Sequence, residues 1–463
     1  MHTNLKALFG IAVLASAAFC AAPRGAFAGN PVSVTPNASE MSPAEWRRRQ
    51  LVAADKSDII MQQAEKIPGL LGRYVHMQSA YDADHERAFQ VIFGQYLSWF
   101  QTFIGDYDGA ANSFSIAQPA QDDDGPSPLA GNYKLKPATD VILDLVKSRK
   151  AVFFNEAHSA PITRTLTIEL LAKLHDEGFN YFAAETLYDT DRDLQKRGYP
   201  TPKSGFYVDE PLYGEMVRTA IKLGYKIIAY DVESAGVGDA RERAGAESLY
   251  SQVFKKDPNA RLVVNAGFAH VQKSGKYLGG SSMGEFFARI SGIDPLTIEQ
   301  TMLIQHARPD QDHAYYSAVM QALHPQQPSV FVAPDGKTWT LKPGKYDMSV
   351  FFPQYDIVKQ RPNWLALDGM RSMYPVAGDM CRNQFPCLIE ARYANESDDA
   401  VAADRTVLNV VDPNTPADQR ILSGHTQTQS RLFLRPGNYH LKATDRNNRP
   451  LLLRDISIGA GSP

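Results

Sequence analysis

Ala151-Val-Phe-Phe-Asn-Glu-Ala-His158 is the stretch that decides the fold. Four apolar residues in a row, rich in Val and Phe, read as a short strand buried on both faces. The strand runs straight into Asn155, Glu156 and His158. Three later stretches repeat the design. Phe179–Ala184 runs into Glu185, Lys226–Tyr230 into Asp231, and Arg261–Val264 into Asn265-Ala-Gly-Phe-Ala-His270. Helical patterns separate them at Ile162–Glu177, Pro211–Leu223, Ala240–Lys255 and Met283–Ser291, and Leu296–Ile304 reads as a fifth strand. This alternation predicts an α/β domain with a mostly parallel sheet covered by helices. Ligands of such sheets bind outside the carboxyl ends of the strands. One acidic, histidine-containing pocket is therefore expected there.

Outward from the sheet, the texture changes on both sides. Ser42-Pro-Ala-Glu45 is a capping box with proline in the first turn, so a helix should start there. A second helix is expected over Asp84–Ile104, where Phe89, Phe93, Tyr96, Phe100 and Phe103 recur at helical spacing and read as core. Residues 29–112 thus form a helical N-terminal region. Residues 113–131, rich in Asp, Pro, Gly and Ser, read as a linker. The α/β domain is placed at 132–325, and 326–375 reads as a connecting β-rich segment. Short strands and turns over 376–463 suggest a β-sandwich-like domain. Trp339-Thr-Leu-Lys-Pro-Gly-Lys-Tyr346 and Leu432-Phe-Leu-Arg-Pro-Gly-Asn-Tyr439 share a strand–Pro-Gly–strand form. The long insertion Tyr188–Glu210 lies above the expected pocket and reads either as a lid or as a packed excursion.

Residues 1–28 read as a signal peptide, with Lys6, an apolar Ala7–Phe19 and a small-residue site at Ala26-Phe-Ala28. An exported, periplasmic or secreted protein without a membrane anchor is the expectation. The 463-residue chain has net charge −3, and losing Lys6 and Arg24 leaves 46 basic against 51 acidic residues, a net −5. That balance offers no general field for nucleic acid or anionic membranes. Arg47-Arg-Arg49 reads as a solvated helix face. Of three cysteines, Cys381 and Cys387 would remain after cleavage, and an exported chain is expected to join them.

The candidate chemistry sits at the strand ends. Glu156 and His158 are suited to acid–base work in a partly dry pocket, and Glu185 and His270 join them on the same rim. Arg164 and Arg241 lie near helix starts, where cations oppose the helix dipole. Such placements make sense if the charge pairs with pocket carboxylates or stabilises an oxyanion. Gly280-Ser-Ser-Met-Gly284 matches a nucleophile-elbow pattern, but no buried strand precedes it, and Ser282 reads more simply as a helix cap completed by Glu285. His306 and His313 read as surface or core residues.

Asn155-Glu-Ala-His158 resembles the Gly-Glu-x-His opening of erythromycin esterase-like, TraB/TIKI-like and ChaN-like haem-binding proteins. Arg241-Glu-Arg-Ala-Gly-Ala-Glu-Ser248 is similar to the Arg-Asp-x-x-Met-Ala-Glu-Asn helix of the esterases. Arg261–His270 resembles their strand ending in histidine, and Ser282-Met-Gly284 falls where they begin another helix. The resemblance spans about 138–292. It implies a site of Glu156, His158, Glu185, Arg241 and His270. Asn155 stands where those families have glycine. Only Ala157 separates the first Glu from the His, where the esterases have two residues, so macrolide specificity does not carry over. The esterase branch implies metal-free hydrolysis of an ester or amide in a small molecule or peptide. His158 would take a proton from water, oriented by Glu156 or Glu185; Arg241 and Arg164 would stabilise the oxyanion, and His270 would protonate the leaving group. The TIKI branch implies a divalent metal on Glu156, His158, Glu185 and His270 for proteolysis, and the ChaN-like branch implies haem binding.

Overall fold

The computed structural model describes residues 41–114, 117–231, 238–409 and 428–459. The expected signal peptide lies outside them. Four helices come first: α1 (Pro43–Glu65), α2 (Leu70–Ala83), α3 (Arg87–Phe103) and α4 (Tyr107–Ser113). Ser42 caps α1, its Oγ accepting from the Glu45 amide at 3.2 Å, and Glu45 pairs with the exposed Arg48 and Arg49. The aromatic stripe on α3 is buried, as its spacing predicts.

Next come β1 (Lys134–Pro137), α5 (Ala138–Val146), β2 (Ala151–Glu156), α6 (Ile162–Asp176), β3 (Tyr181–Ala184), α7 (Leu194–Arg197), α8 (Pro211–Leu223), β4 (Lys226–Ile228) and α9 (Asp239–Leu249). They are followed by β5 (Leu262–Gly267), α10 (Met283–Ser291), β6 (Leu296–Glu299), α11 (Ala314–Leu323), β7 (Ser329–Val332) and β8 (Met348–Ser349). Six of the strands form one parallel sheet in the order β4-β3-β5-β2-β6-β8. Its sixth strand comes from within 326–375, where a two-residue strand leaves little periodicity to read. β4 and β6 are shorter than the expected Lys226–Tyr230 and Leu296–Ile304, because the chain turns into loops at their carboxyl ends.

Strand alternation divides the core in two. Val152, Phe154, Phe182 and Val263 face α6 and α8, in a core continuous with the N-terminal helices. Ala151, Phe153, Ala183 and Val264 face α9 and α10. The connection from β2 leads to β3 on one side, whereas that from β5 leads to β6 on the other. The neighbouring ends of β2 and β5 are thus a topological switch point.

The expected linker is held to the body. Asp124 pairs with His313 at 3.1 Å and with Lys342 at 2.7 Å, and the Gly125 amide donates to Leu341 at 2.7 Å. Its Asp residues, which look solvent-seeking in sequence, meet lysines more than 200 residues away.

The remaining strands are β9 (Ile357–Val358), β10 (Arg361–Pro362), β11 (Ser372–Ala377), β12 (Cys387–Tyr393), β13 (Asp404–Leu408), β14 (Gln429–Leu434), β15 (Gly437–Asp445) and β16 (Pro450–Ile458). A four-stranded antiparallel sheet, β13-β12-β15-β16, shares one core with the β11-β14 pair, through Ile389, Leu441, Val376 and Leu432. The C-terminal region is accordingly sandwich-like. Cys381 and Cys387 are joined there, with Cα atoms 6.0 Å apart. Among the described residues no helix is long and apolar enough to cross a membrane.

Candidate active site

Strand parity assigns the acids to their partners. Glu156 follows Val152 and Phe154 onto the α6 face, where Arg164 waits in the first turn of that helix. Arg164 Nη2 donates to Glu156 Oε1 at 3.0 Å, its Nε contacts Oε2, and its Nη1 donates to Glu210 Oε2 at 2.7 Å. Glu210 also caps α8, accepting from the amides of Leu212 and Tyr213, and accepts from the Tyr107 hydroxyl at 2.9 Å. Glu185 follows Tyr181 and Ala183 onto the other face. There Arg241, from the first turn of α9, reaches it at 3.1 Å and Asp231 at 2.6 Å. Both arginines opposing a helix dipole are therefore compensated by buried carboxylates.

His158 and His270 close the rim. His158 Nδ1 lies 2.8 Å from Glu156 Oε1, and its Nε2 lies 3.9 Å from Glu185 Oε2, beyond hydrogen-bond reach. Tyr207 stacks on the His158 ring at 3.9 Å and Phe268 meets it edge-on at 5.2 Å. His270 Nδ1 lies 2.8 Å from Glu242 Oε2, and its Nε2 lies 3.3 Å from both Glu185 Oε1 and Arg241 Nη1. The Gly267 amide donates to Glu185 Oε2 at 2.5 Å.

Solvent exposure separates two sets of groups. The side chains of His158, Glu185, Arg241, Asp231 and His270 each keep 6–9% exposure. Those of Glu156, Arg164, Glu210 and Glu242 keep at most 1%. The first set meets solvent; the second holds it in place.

Electrostatics fix the protonation pattern. Burial alone would raise the Glu156 carboxyl, but Arg164 and His158 outweigh it and hold it below the usual range. Burial likewise opposes the Glu185 charge, yet His270, His158 and Arg241 hold it well below that range. Burial would neutralise His270, but Glu242 and Glu185 push its imidazolium up to about 10. With its folded value above its ordinary 6.5, His270 contributes stability that is full below pH 6.5 and lost as pH rises through about 10. The melting-temperature gap between wild type and His270→Gln should therefore shrink from pH 6 to pH 10; a constant gap would show that His270 carries no such charge.

The backbone is strained where the site needs it. Thr186, next to Glu185, has φ +60°, and Phe268, between Gly267 and His270, has φ +46°. Non-glycine residues in this region cost on the order of 1–3 kcal/mol and concentrate at functional sites. Gly267 is needed for close approach. A Cβ there would stand 2.4 Å from the His158 ring and 2.9 Å from Glu185 Oε2. Gly267→Ala should destabilise by about 1–3 kcal/mol through overpacking and lower turnover by displacing His158, as urea unfolding and kinetics on the same sample would show.

The arrangement does not suit a metal on Glu156, His158, Glu185 and His270. Both Glu156 oxygens are taken by Arg164 and His158, both His270 nitrogens face carboxylates, and the Arg241 guanidinium stands against Glu185 and His270, where a cation would be repelled. Among the described residues no group of three or more His, Cys, Asp or Glu side chains could hold a metal ion.

All six expected residues converge here. Sequence reasoning missed Glu210, Glu242 and Tyr207, and gave Asp231 only the task of holding an arginine, which it performs. Glu210 was findable as the acid before Pro211 at a helix start, a capping signal. The Tyr188–Glu210 insertion ends in residues that pack on His158 and clamp Arg164, so its C-terminal part is a fixed wall. Ser282 caps α10, accepting from the Glu285 amide at 3.2 Å, and His313 caps α11. Asn155 accepts from the Gln300 amide at 2.6 Å and so ties β2 to the end of β6, a task glycine could not perform. Comparisons with protein-family models, curated proteins and solved structures find no match for this chain.

Proposed function

We propose that the protein is an exported hydrolase that cleaves an ester or amide with water activated by His158. One observation carries the reading: an imidazole whose Nδ1 is tied to a buried, ionised Glu156 while its Nε2, on the solvent-reached floor, has no hydrogen bond among the described residues. An ionised Glu156 only accepts hydrogen bonds, so when His158 carries one proton that proton sits on Nδ1 and the lone pair on Nε2. That is the tautomer of a general base.

In the proposed reaction, Nε2 takes a proton from water as the water oxygen bonds to the carbonyl carbon. The carbonyl oxygen becomes an oxyanion, which Arg241 at the floor stabilises. Collapse breaks the bond to the alcohol or amine, which takes the proton back from Nε2. His270 has its protons directed at Glu242 and Glu185, so it serves as a fixed cation rather than the leaving-group acid expected from the sequence. Arg164 has no free donor face and acts through Glu156 as a positioning residue. The test is hydrolysis of a panel of neutral esters and amides by wild type and by His158→Gln and Glu185→Ala. Equal rates for wild type and variants on every accepted substrate would sink the assignment.

A further inference from the structure

A cleft opens behind the catalytic turn. Its rim includes Ala157 and Ser159, which flank His158, and Phe268, which meets the His158 ring edge-on. The opposite walls come from other parts of the chain: Tyr107 and Phe114 from the α4 region, Ile304 from the loop after β6, and Trp364 from the segment before β11. Trp364 packs edge-on against Tyr107 at 5.1 Å and Tyr355 at 6.3 Å, so this end is built of fixed rings. The cavity volume is about 70 Å³, room for on the order of five water-sized groups. An acyl chain of about four or five carbons fits; a macrocycle does not.

Charge narrows the occupant. Among the described residues no lysine or arginine lines the cleft, and apart from tyrosines only Asp108 and His306 bring an ionisable group, with His306 Nδ1 tied to Asp312 at 3.0 Å. The adjoining floor carries five acidic side chains (Glu156, Glu185, Glu210, Asp231, Glu242) against Arg164, Arg241 and protonated His270. An anionic ligand would meet no lysine or arginine among the described residues of the cleft and a floor richer in acids than in cations, whereas an apolar, uncharged one matches the walls.

We propose that this cleft is an acyl-binding subsite that takes the uncharged, apolar part of the substrate, up to a chain of about five carbons. Its catalytic meaning rests on the hydrolase reading above, but its ligand class does not. Phe268 stands between cleft and base, which places a bound chain within one ring of His158.

The test separates the two readings. Ala111→Trp and Ala307→Trp fill the cleft from different elements, so a folding defect in one leaves the other. Wild type and both variants are assayed on neutral acetyl and pentanoyl nitrophenyl esters, and titrated calorimetrically with pentanamide and with pentanoate. The expected result is a pentanoyl-to-acetyl ratio of kcat/KM at least 10-fold lower in the folded variants, with pentanamide binding lost in them and pentanamide binding better than pentanoate in wild type. An unchanged ratio and unchanged pentanamide binding overturn the subsite. Pentanoate binding as well as pentanamide overturns the charge argument. If wild type hydrolyses neither ester but filling the cleft abolishes pentanamide binding, the apolar ligand site stands and the hydrolase reading falls.

Discussion

Glu156→Gln is expected to cut kcat by about 10³–10⁴ while leaving KM within a few-fold. The magnitude follows from what an amide would do at this position. Arg164 presents only donors, through Nε and Nη2, so it will hold the amide oxygen. The amide NH2 then turns toward His158 Nδ1. The ring must accept there, which moves its proton to Nε2 and removes the lone pair from the floor. Trapping a catalytic histidine in the wrong tautomer by a carboxylate-to-amide change costs roughly 10⁴ in other hydrolases. His158→Gln, which removes the base altogether, should cost about 10²–10⁴. Combining the two substitutions should cost little more than either alone, because they disable one unit. Fully additive losses in kcat would show that Glu156 and His158 act separately.

The strand ends were legible because a buried parallel strand announces itself twice: an apolar run too short for a helix, and an abrupt ionisable residue where the run stops. Glu156, Glu185 and His270 were found this way. Their pairings were not, since they depend on which strands are neighbours. β5 lies between β2 and β3 in the sheet although β2, β3 and β4 all precede it in the chain, and only that order brings His158 toward Glu185. Once the order is known, strand parity predicts that Glu156 meets α6 and Glu185 meets α9. Glu242 was hidden for a related reason. Its place in the first turn of α9 shows no partner in sequence, yet it accepts from the Met283 amide at 2.8 Å, at the start of α10 on the same sheet face. The charged linker was misleading because its acids find partners through tertiary structure. The insertion was ambiguous because Tyr, Pro and Gly serve a lid and a packed wall equally well; the stacking of Tyr207 on His158 decides for the wall at that end.

Arg164→Met is expected to cost about 3–5 kcal/mol of stability, the largest effect of any single change at the site. Arg164 is buried between Glu156 and Glu210 and lies over the Tyr213 ring at 5.2 Å. Removing its charge leaves two carboxylates in a dry environment, and breaking a buried pair from one side costs about that much. Glu210→Gln in the same chain should recover part of the loss by removing one stranded charge, whereas Arg164→Lys should recover less, because a lysine cannot bond both carboxylates in a fork. A loss well below 2 kcal/mol in urea unfolding would mean that Glu156 is not held by this pair. Stability alone does not separate a positioning role from a purely structural one, but pH does. Arg164 opposes the effect of burial and keeps the folded Glu156 value low. A group with a depressed folded value contributes above its ordinary value and loses that contribution as pH falls through the folded one. Without Arg164, burial raises that folded value, and protonation of Glu156, with the tautomer failure it brings, begins at higher pH. The acid limb of the kcat profile should therefore move to higher pH in Arg164→Met and stay put in a variant destabilised elsewhere. A residue that stabilised the oxyanion directly would instead lower kcat at every pH without moving the limb.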